Sequence, residues 1–194
     1  MKTEKELRIL DVSFETMIQK LKAVGAKHEA TYFQERYTYN FTPHRIGHWI
    51  RLRRRIGNES KITLAIKEAK KQSVDGTKEL EIGVSNFEDT NLILEKLGYK
   101  AYSFEENFRI EFSLGKVKVD LDKWPGIPPL MEIEGELEDD IFKTTNILGF
   151  DEKDFIFMGI KTLYKEKYGI SLDDDQYKYL KFSETEREDL KQYK

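Results

Sequence analysis

The chain has 194 residues, with 33 Lys+Arg against 36 Asp+Glu, so a 36% charged composition leaves a net charge of only −3. That length fits one domain or two small ones, and the balance of charge argues against a general binder of nucleic acid or acidic membrane, which would carry a one-signed field. The absence of cysteine excludes disulfides, thiolate metal sites, iron–sulfur clusters and a Cys nucleophile, and three His confined to residues 28–48 are a poor basis for structural zinc. No apolar run approaches the ~20 residues that span a bilayer, and MKTEKELRIL lacks the apolar core of a signal peptide. The expectation is a soluble, cytoplasmic, globular protein.

In chain order, a first strand around KELRI (5–9) leads to a helix with Phe14, Met17, Ile18, Leu21 and Val24 at helical spacing, capped by Ser13 and stopped at Gly25. Strands follow at FQERYTYNF (33–41), WIRLRRR (49–55) and TLAIKE (63–68). The plan then starts again. KELEI (78–82) stands where KELRI stood, a second helix carries Phe87, Ile93, Leu94 and Leu97 between Ser85 as cap and Gly98, and FEENFRIEF (104–112), VKVDLDK (117–123) and LMEIEG (130–135) follow. This self-similarity defines two β-α-β-β-β units about 75 residues apart. Helices are expected at Glu138–Leu148, closed by Gly149, and Phe155–Tyr168, closed by Gly169. Four prolines and no long Pro/Gly/Ser-rich linker favour one domain over residues 1–170, with 171–194 a charged C-terminal helix or tail.

Side chains two apart on a strand share a face. Seven strands then show one pattern. Glu4, Glu6 and Arg8 oppose Leu7 and Ile9; Arg51 and Arg53 oppose Ile50 and Leu52; Lys67 opposes Leu64 and Ile66; Glu79 and Glu81 oppose Leu80 and Ile82. Arg109 and Glu111 oppose Phe108, Ile110 and Phe112; Lys118, Asp120 and Asp122 oppose Val117, Val119 and Leu121; Glu132 and Glu134 oppose Met131 and Ile133. For one strand, a charged face turned to solvent is the ordinary antiparallel arrangement. For the set, the near absence of Ser, Thr and Gln, and helices enough to cover the apolar side, point to a sheet that curls shut with its charges inward. Such a lining suits a wet channel awaiting a ligand, since an unpaired buried ion loses several kcal/mol of hydration or more. Carboxylates without His or Cys suit Mg²⁺ or Mn²⁺, and converging Arg and Lys suit phosphate oxygens.

These residues carry a resemblance to the CYTH, or triphosphate tunnel metalloenzyme, family, which includes class IV adenylyl cyclases, thiamine triphosphatases and inorganic tripolyphosphatases. The family's Glu-x-Glu-x-Lys signature is met by Glu4, Glu6 and, in the Lys place, Arg8. The likeness continues through Arg51, Arg53, Lys67, Glu79, Glu81, Arg109, Asp122, Glu132 and Glu134 to the closing GIKTLYKE. One departure is the turn Tyr39–Asn40–Phe41–Thr42–Pro43, where family members often place an Asp before Thr-Pro.

The resemblance implies an α+β fold: an eight-stranded antiparallel closed β-barrel, or tunnel, with helices packed outside. It implies metal ligation by Glu4, Glu6, Asp122, Glu132 and Glu134, phosphate contacts from Arg8, Arg51, Arg53, Lys67, Arg109 and Lys118, and a catalytic part for Glu79 and Glu81. The expected activity is Mg²⁺- or Mn²⁺-dependent hydrolysis of a small-molecule triphosphate chain, inorganic or organic. Two alternatives stand beside it: a class IV adenylyl cyclase making cyclic AMP and pyrophosphate, and a non-catalytic polyphosphate or nucleotide binding module. Neither nucleic acid nor membrane is an expected partner, RLRRR (51–55) alternating faces rather than forming a patch; the family leaves room for a homodimer.

Overall fold

A computed structural model describes residues 1–57, 60–69, 77–174, 176 and 178–193, with the side chains of Lys2 and Glu4 outside that description. The first unit comprises β1 (Lys2–Ile9), α1 (Phe14–Ala23), β2 (Lys27–Asn40), β3 (His48–Ile56) and β4 (Lys61–Ala69). The second repeats the order with β5 (Thr77–Gly83), α2 (Phe87–Lys96), β6 (Ala101–Leu114), β7 (Val117–Lys123) and β8 (Leu130–Gly135). Then come α3 (Glu138–Ile147), α4 (Ile160–Tyr168), β9 (Tyr179–Leu180) and α5 (Glu184–Leu190).

The strands pair in the order β2-β3-β4-β5-β1-β8-β7-β6, and β6 returns to β2, so the antiparallel circuit closes on itself. The closing seam is the longest, running from Lys27↔Ser113 to Tyr39↔Ala101. β1 is shared end to end: residues 2–4 pair with β5 and residues 5–9 with β8. β9 adds a short parallel pairing to β6 at Phe104 and Glu105.

Alternation then decides what lies inside. Leu7, Ile9, Phe33, Phe108, Ile110, Phe112, Val119, Leu121, Met131 and Ile133 point outward into an apolar cluster with Phe14, Met17 and Leu21 of α1 and Ile141 of α3. A second outer cluster joins Tyr39, Ile50 and Leu52 to Phe87 and Leu94 of α2. A third joins Trp124, Ile127 and Leu130 to Leu163 and Tyr164 of α4, where the Tyr164 hydroxyl donates to the Pro125 carbonyl at 2.6 Å. Trp124 and Leu130 share strand parity with Asp122 and Glu132, which sets α4 against the barrel end where β7 finishes and β8 begins. Burying each such side chain contributes roughly 1.5–3 kcal/mol, so the helices hold the barrel from outside.

Three local expectations change. α2 is capped by Asn86, whose Oδ1 accepts from the Asp89 N–H at 2.9 Å, and not by Ser85. The fourth helix starts at Ile160, because the preceding segment is extended and exchanges two 2.9 Å backbone bonds between Arg8 and Ile156. The cover is also incomplete: Leu80 and Ile82, on the outer face of β5, are 51% and 56% exposed. Residues after Ser171 pack rather than trail. Phe182 and Leu190 are buried in the cluster with α1, and Tyr193 meets Phe14 edge-on at 5.2 Å. The outward carboxylates at repeat-equivalent positions are both ion-paired, Glu35 with Arg54 at 2.7 Å and Glu106 with Arg187 at 2.5 Å.

Candidate active site in the barrel bore

The inward parity of every barrel strand delivers charge to the bore. Arg8, Lys67, Arg109, Asp120 and Asp122 are all buried, although each is ionisable. They persist because they meet one another. Arg8 lies 2.8 Å from Glu6 and 3.2 Å from Glu132, and its other amino group donates to the Met158 carbonyl at 2.8 Å. Arg109 grips Asp122 with a fork, Nε at 2.7 Å and Nη2 at 2.5 Å, while also pairing with Asp120 and lying 3.7 Å from Glu132. Lys118 extends this group, at 2.8 Å from Asp120 and 3.7 Å from Glu111.

A second group forms across β3, β4 and β5. Arg51 is 2.6 Å from Glu79 and 3.3 Å from Glu81, Arg53 is 2.8 Å from Glu81, and Lys67 is 3.7 Å from Glu79. The Thr63 hydroxyl donates to Glu81 at 3.1 Å. The side chains expected to line an open channel are thus paired with one another, as opposite charges in a low-dielectric interior draw together. Two surface grooves of about 310 and 320 Å³ lie outside the barrel, the first lined by Glu35, Arg54 and Phe87, and neither shares a residue with these ion pairs.

Electrostatics separates the carboxylates. Burial pushes Glu6 up to about 7, against the pull of Arg8 and with the neighbouring Glu132 adding to the rise. Burial acts on Glu132 in the same direction, yet Arg8 and Arg109 hold it well below the usual carboxylate range. Glu132, held ionised by the two arginines, thus favours the protonated form of Glu6, and the two titrate as a pair. Burial also raises Asp120 to about 6, and Asp120 and Asp122 more than offset the burial of Arg109 and hold it charged.

Oxygen-only donors, with Glu6 and Glu132 close enough to oppose each other's ionisation, fit a hard divalent cation, which would neutralise both. Glu134, directly opposite Glu6 in the β1–β8 register, makes no ion pair or side-chain hydrogen bond among the described residues. Among those residues, however, no three His, Cys, Asp or Glu side chains are already gathered at ligating positions.

Of the positions expected from sequence, Glu6, Arg8, Arg109, Lys118, Asp122 and Glu132 thus form one network with Asp120, and Arg51, Arg53, Lys67, Glu79 and Glu81 another. Glu134 stands beside the first, and the side chain of Glu4 lies outside the described residues. Asp122 has both oxygens engaged, by Arg109 and by the Asn107 amide at 3.1 Å. Sequence reasoning missed the inward face of β2, where Tyr32, Gln34 and Arg36 contribute, and Arg55 on β3. Tyr32 donates to Glu111 at 2.6 Å, and Arg55 lies 3.5 Å from the same carboxylate. The period-two rule finds all four, since 32, 34 and 36 alternate with the aromatic positions and 55 extends the 51, 53 series.

A closed antiparallel barrel with a bore lined by both signs of charge and helices outside defines a tunnel protein of the kind the sequence suggested. The family profile for the CYTH domain matches residues 2–156, and the chain belongs to that family. The family is metal-dependent in general and its members are typically enzymes of triphosphatase or adenylyl cyclase type. Among curated proteins the sequence finds no match. Among solved structures, the PH1012 protein from Pyrococcus horikoshii OT3 is 23% identical with a TM-score of 0.71, over 80% of this chain and 96% of that one. A putative adenylate cyclase from Vibrio parahaemolyticus is 14% identical with a TM-score of 0.72, over 84% and 98%. A putative adenylyl cyclase from Hippeastrum, described as having a dominant triphosphatase activity, is 14% identical with a TM-score of 0.57, over 87% and 96%. At such identities the likeness is one of fold. No helix among the described residues is long and apolar enough to cross a membrane.

Proposed function

We propose that this protein is a Mg²⁺- or Mn²⁺-dependent phosphohydrolase acting on a triphosphate chain, inorganic or organic. The observation that supports this reading is the convergence of Arg8, Arg51, Arg53, Lys67 and Arg109 from four strands on one bore shared with carboxylates. A chain of phosphates supplies anionic oxygens along a line, and Arg forks bind such oxygens in pairs. Glu6, Glu132 and Glu134 would hold the metal, with Glu4 and Asp122 as further ligands; the metal supplies neutralisation of phosphate charge and polarisation of phosphorus. Arg8 and Arg109 stabilise charge building on the leaving phosphate, and they are preorganised by the carboxylates they now contact. Glu79 and Glu81 hold Arg51, Arg53 and Lys67 toward the bore; burial raises Glu81, but Arg53 and Arg51 outweigh it and keep that carboxylate ionised.

The test is to incubate the full chain with tripolyphosphate, thiamine triphosphate and ATP, each with Mn²⁺, Mg²⁺ or EDTA, measuring orthophosphate and cyclic AMP. Metal-dependent release of orthophosphate is the expected result. Cyclic AMP from ATP without orthophosphate release would make the protein a cyclase, and tight binding with no product a binding module; either would overturn the proposal.

A further inference from the structure

Arg36 is unlike every other arginine in the bore. Arg8, Arg51, Arg53, Arg55 and Arg109 each have a carboxylate within ion-pair distance, whereas Arg36 has none among the described residues. Its partners are neutral: the Gln34 side-chain carbonyl at 3.1 Å, the Asn107 side-chain carbonyl, and the face of the Trp124 ring, 4.5 Å from the guanidinium carbon. Among the described residues its Nε has no acceptor, and the nearby Gln34 amide nitrogen, also buried, has none. Arg8 Nε, Arg51 Nε and Trp124 Nε1 are further buried donors without an acceptor among the described residues. Arg36 stands between Arg53 across the β2–β3 pairing and Glu105 across the β2–β6 pairing, with Glu105 beyond ion-pair distance. Burial, with Arg51 and Arg109 nearby, pulls the guanidinium down to about 10, only partly opposed by Glu105, and an arginine keeps its proton even so.

A partly buried cation whose contacts among the described residues are all neutral gives up hydration that those contacts return only in part. Folding accounts for the bonds Arg36 gives Gln34 and Asn107 and for its packing on Trp124, but not for its charge. The missing acceptor is an anion with several oxygens. We infer that Arg36, with the Gln34 amide, forms an anion subsite against Trp124 at the α4 end of the bore, taking one phosphoryl group of the bound ligand. The inference rests on the reading of the bore as a triphosphate site and adds to it a residue from outside the family's charged-strand series. Trp124 is the platform that fixes the guanidinium plane, and α4, through Leu163 and Tyr164, fixes Trp124. Free orthophosphate would meet the same chemistry as a phosphoryl group of a chain.

The experiment uses the full chain in metal-free buffer, with calorimetric titration of tripolyphosphate, pyrophosphate and orthophosphate, and melting curves without ligand. The variants are Arg36→Met, which keeps a flexible chain over Trp124 without charge or donors, and Gln34→Leu. Arg36→Met is expected to weaken tripolyphosphate binding at least tenfold while leaving the ligand-free melting temperature unchanged or higher. Gln34→Leu should weaken binding a few-fold. A merely structural arginine would give the opposite pair, a lower melting temperature with unchanged affinity, and that result overturns the inference. If Arg36→Met does not fold, unchanged affinity in Gln34→Leu overturns it alone. Tighter binding of orthophosphate than of tripolyphosphate to the wild type, lost in Arg36→Met, would assign the subsite to the free ion and overturn its place along a chain. Failure of the wild type to bind any of the three phosphates refutes the triphosphate reading itself, a different outcome from equal binding by wild type and variants.

Discussion

Replacing Glu6 by Gln should change stability in opposite directions with and without metal. In the folded protein the Glu6 carboxyl sits at about 7 against an ordinary 4.5. Below pH 4.5 both folded and unfolded chains carry the proton, and Glu6 affects stability little. Between 4.5 and about 7 the unfolded chain ionises while the folded one keeps its proton, so stability falls as pH rises and levels off above about 7. At about 1.36 kcal/mol per pH unit, the gap amounts to roughly 3 kcal/mol, an upper value because Glu6 and Glu132 titrate as a pair. Gln reproduces the protonated form: its oxygen can accept from Arg8 and its amide can donate to Glu132. Glu6→Gln should therefore melt with the wild type at pH 5 in EDTA and several degrees above it at pH 8, taking about 2–4 °C per kcal/mol for a chain this long. Saturating Mn²⁺ should reverse the order at pH 8, since a ligand at 100 times its Kd contributes about 2.7 kcal/mol to the form that binds it. Thermal melts followed by circular dichroism at the two pH values, with EDTA and then Mn²⁺, measure all four cases. Equal destabilisation of Glu6→Gln at pH 5 and pH 8, unmoved by Mn²⁺, would refute the reasoning and make Glu6 only a structural partner of Arg8.

Glu134→Gln should abolish metal-dependent phosphate release while moving the melting temperature by no more than about 2 °C, since Glu134 has no ion pair or side-chain hydrogen bond to lose among the described residues; steady-state assay and melting curve on one preparation check both. Arg53→Ala should raise the Kd for tripolyphosphate tenfold or more in calorimetry yet spare the fold, because Glu81 retains Arg51 at 3.3 Å and the Thr63 hydroxyl at 3.1 Å. Phe182→Ala should cost about 3–5 kcal/mol in denaturant unfolding, the usual range for a buried Phe, because this ring packs edge-on against Phe33 at 5.9 Å on the barrel wall. A change under about 0.5 kcal/mol would show that the segment after α4 is dispensable.

The repeat and the alternation were legible because both are local. Two residues apart is enough to put Leu7 and Ile9 on one face and Glu6 and Arg8 on the other. Which face turns inward was legible only from the whole set, since a single charged strand face reads equally as solvent-facing. What escaped is long-range. No pattern marks Arg187 as the partner of Glu106 across 81 residues of sequence, or the strand-like approach of Ile156 to Arg8 that delays α4. The exposed Leu80 and Ile82 obey the alternation perfectly; only the placement of α1, α2 and α3 on other strands leaves them uncovered. Arg36 was missed for another reason. Its segment, FQERYTYNF, was read for its aromatic positions, and the inward positions between them mix Gln, Arg and Thr instead of repeating one charge type.

The ion pairs in the bore bear directly on how a ligand enters. A phosphate chain alone would draw Arg8 and Arg109 from their carboxylates and strand Glu132, Asp120 and Asp122 as buried anions. A divalent cation alone would draw Glu6 and Glu132 from Arg8 and strand the cation. Each exchange alone is therefore weaker than the two together, which leave each side chain with a new opposite charge. On the proposed function, metal and triphosphate binding would be coupled through Arg8 and Glu132, which stand in both exchanges, with the internal pairing as the ligand-free arrangement. Arg36 would stand apart from this scheme, because among the described residues no carboxylate lies within ion-pair distance of it to be released.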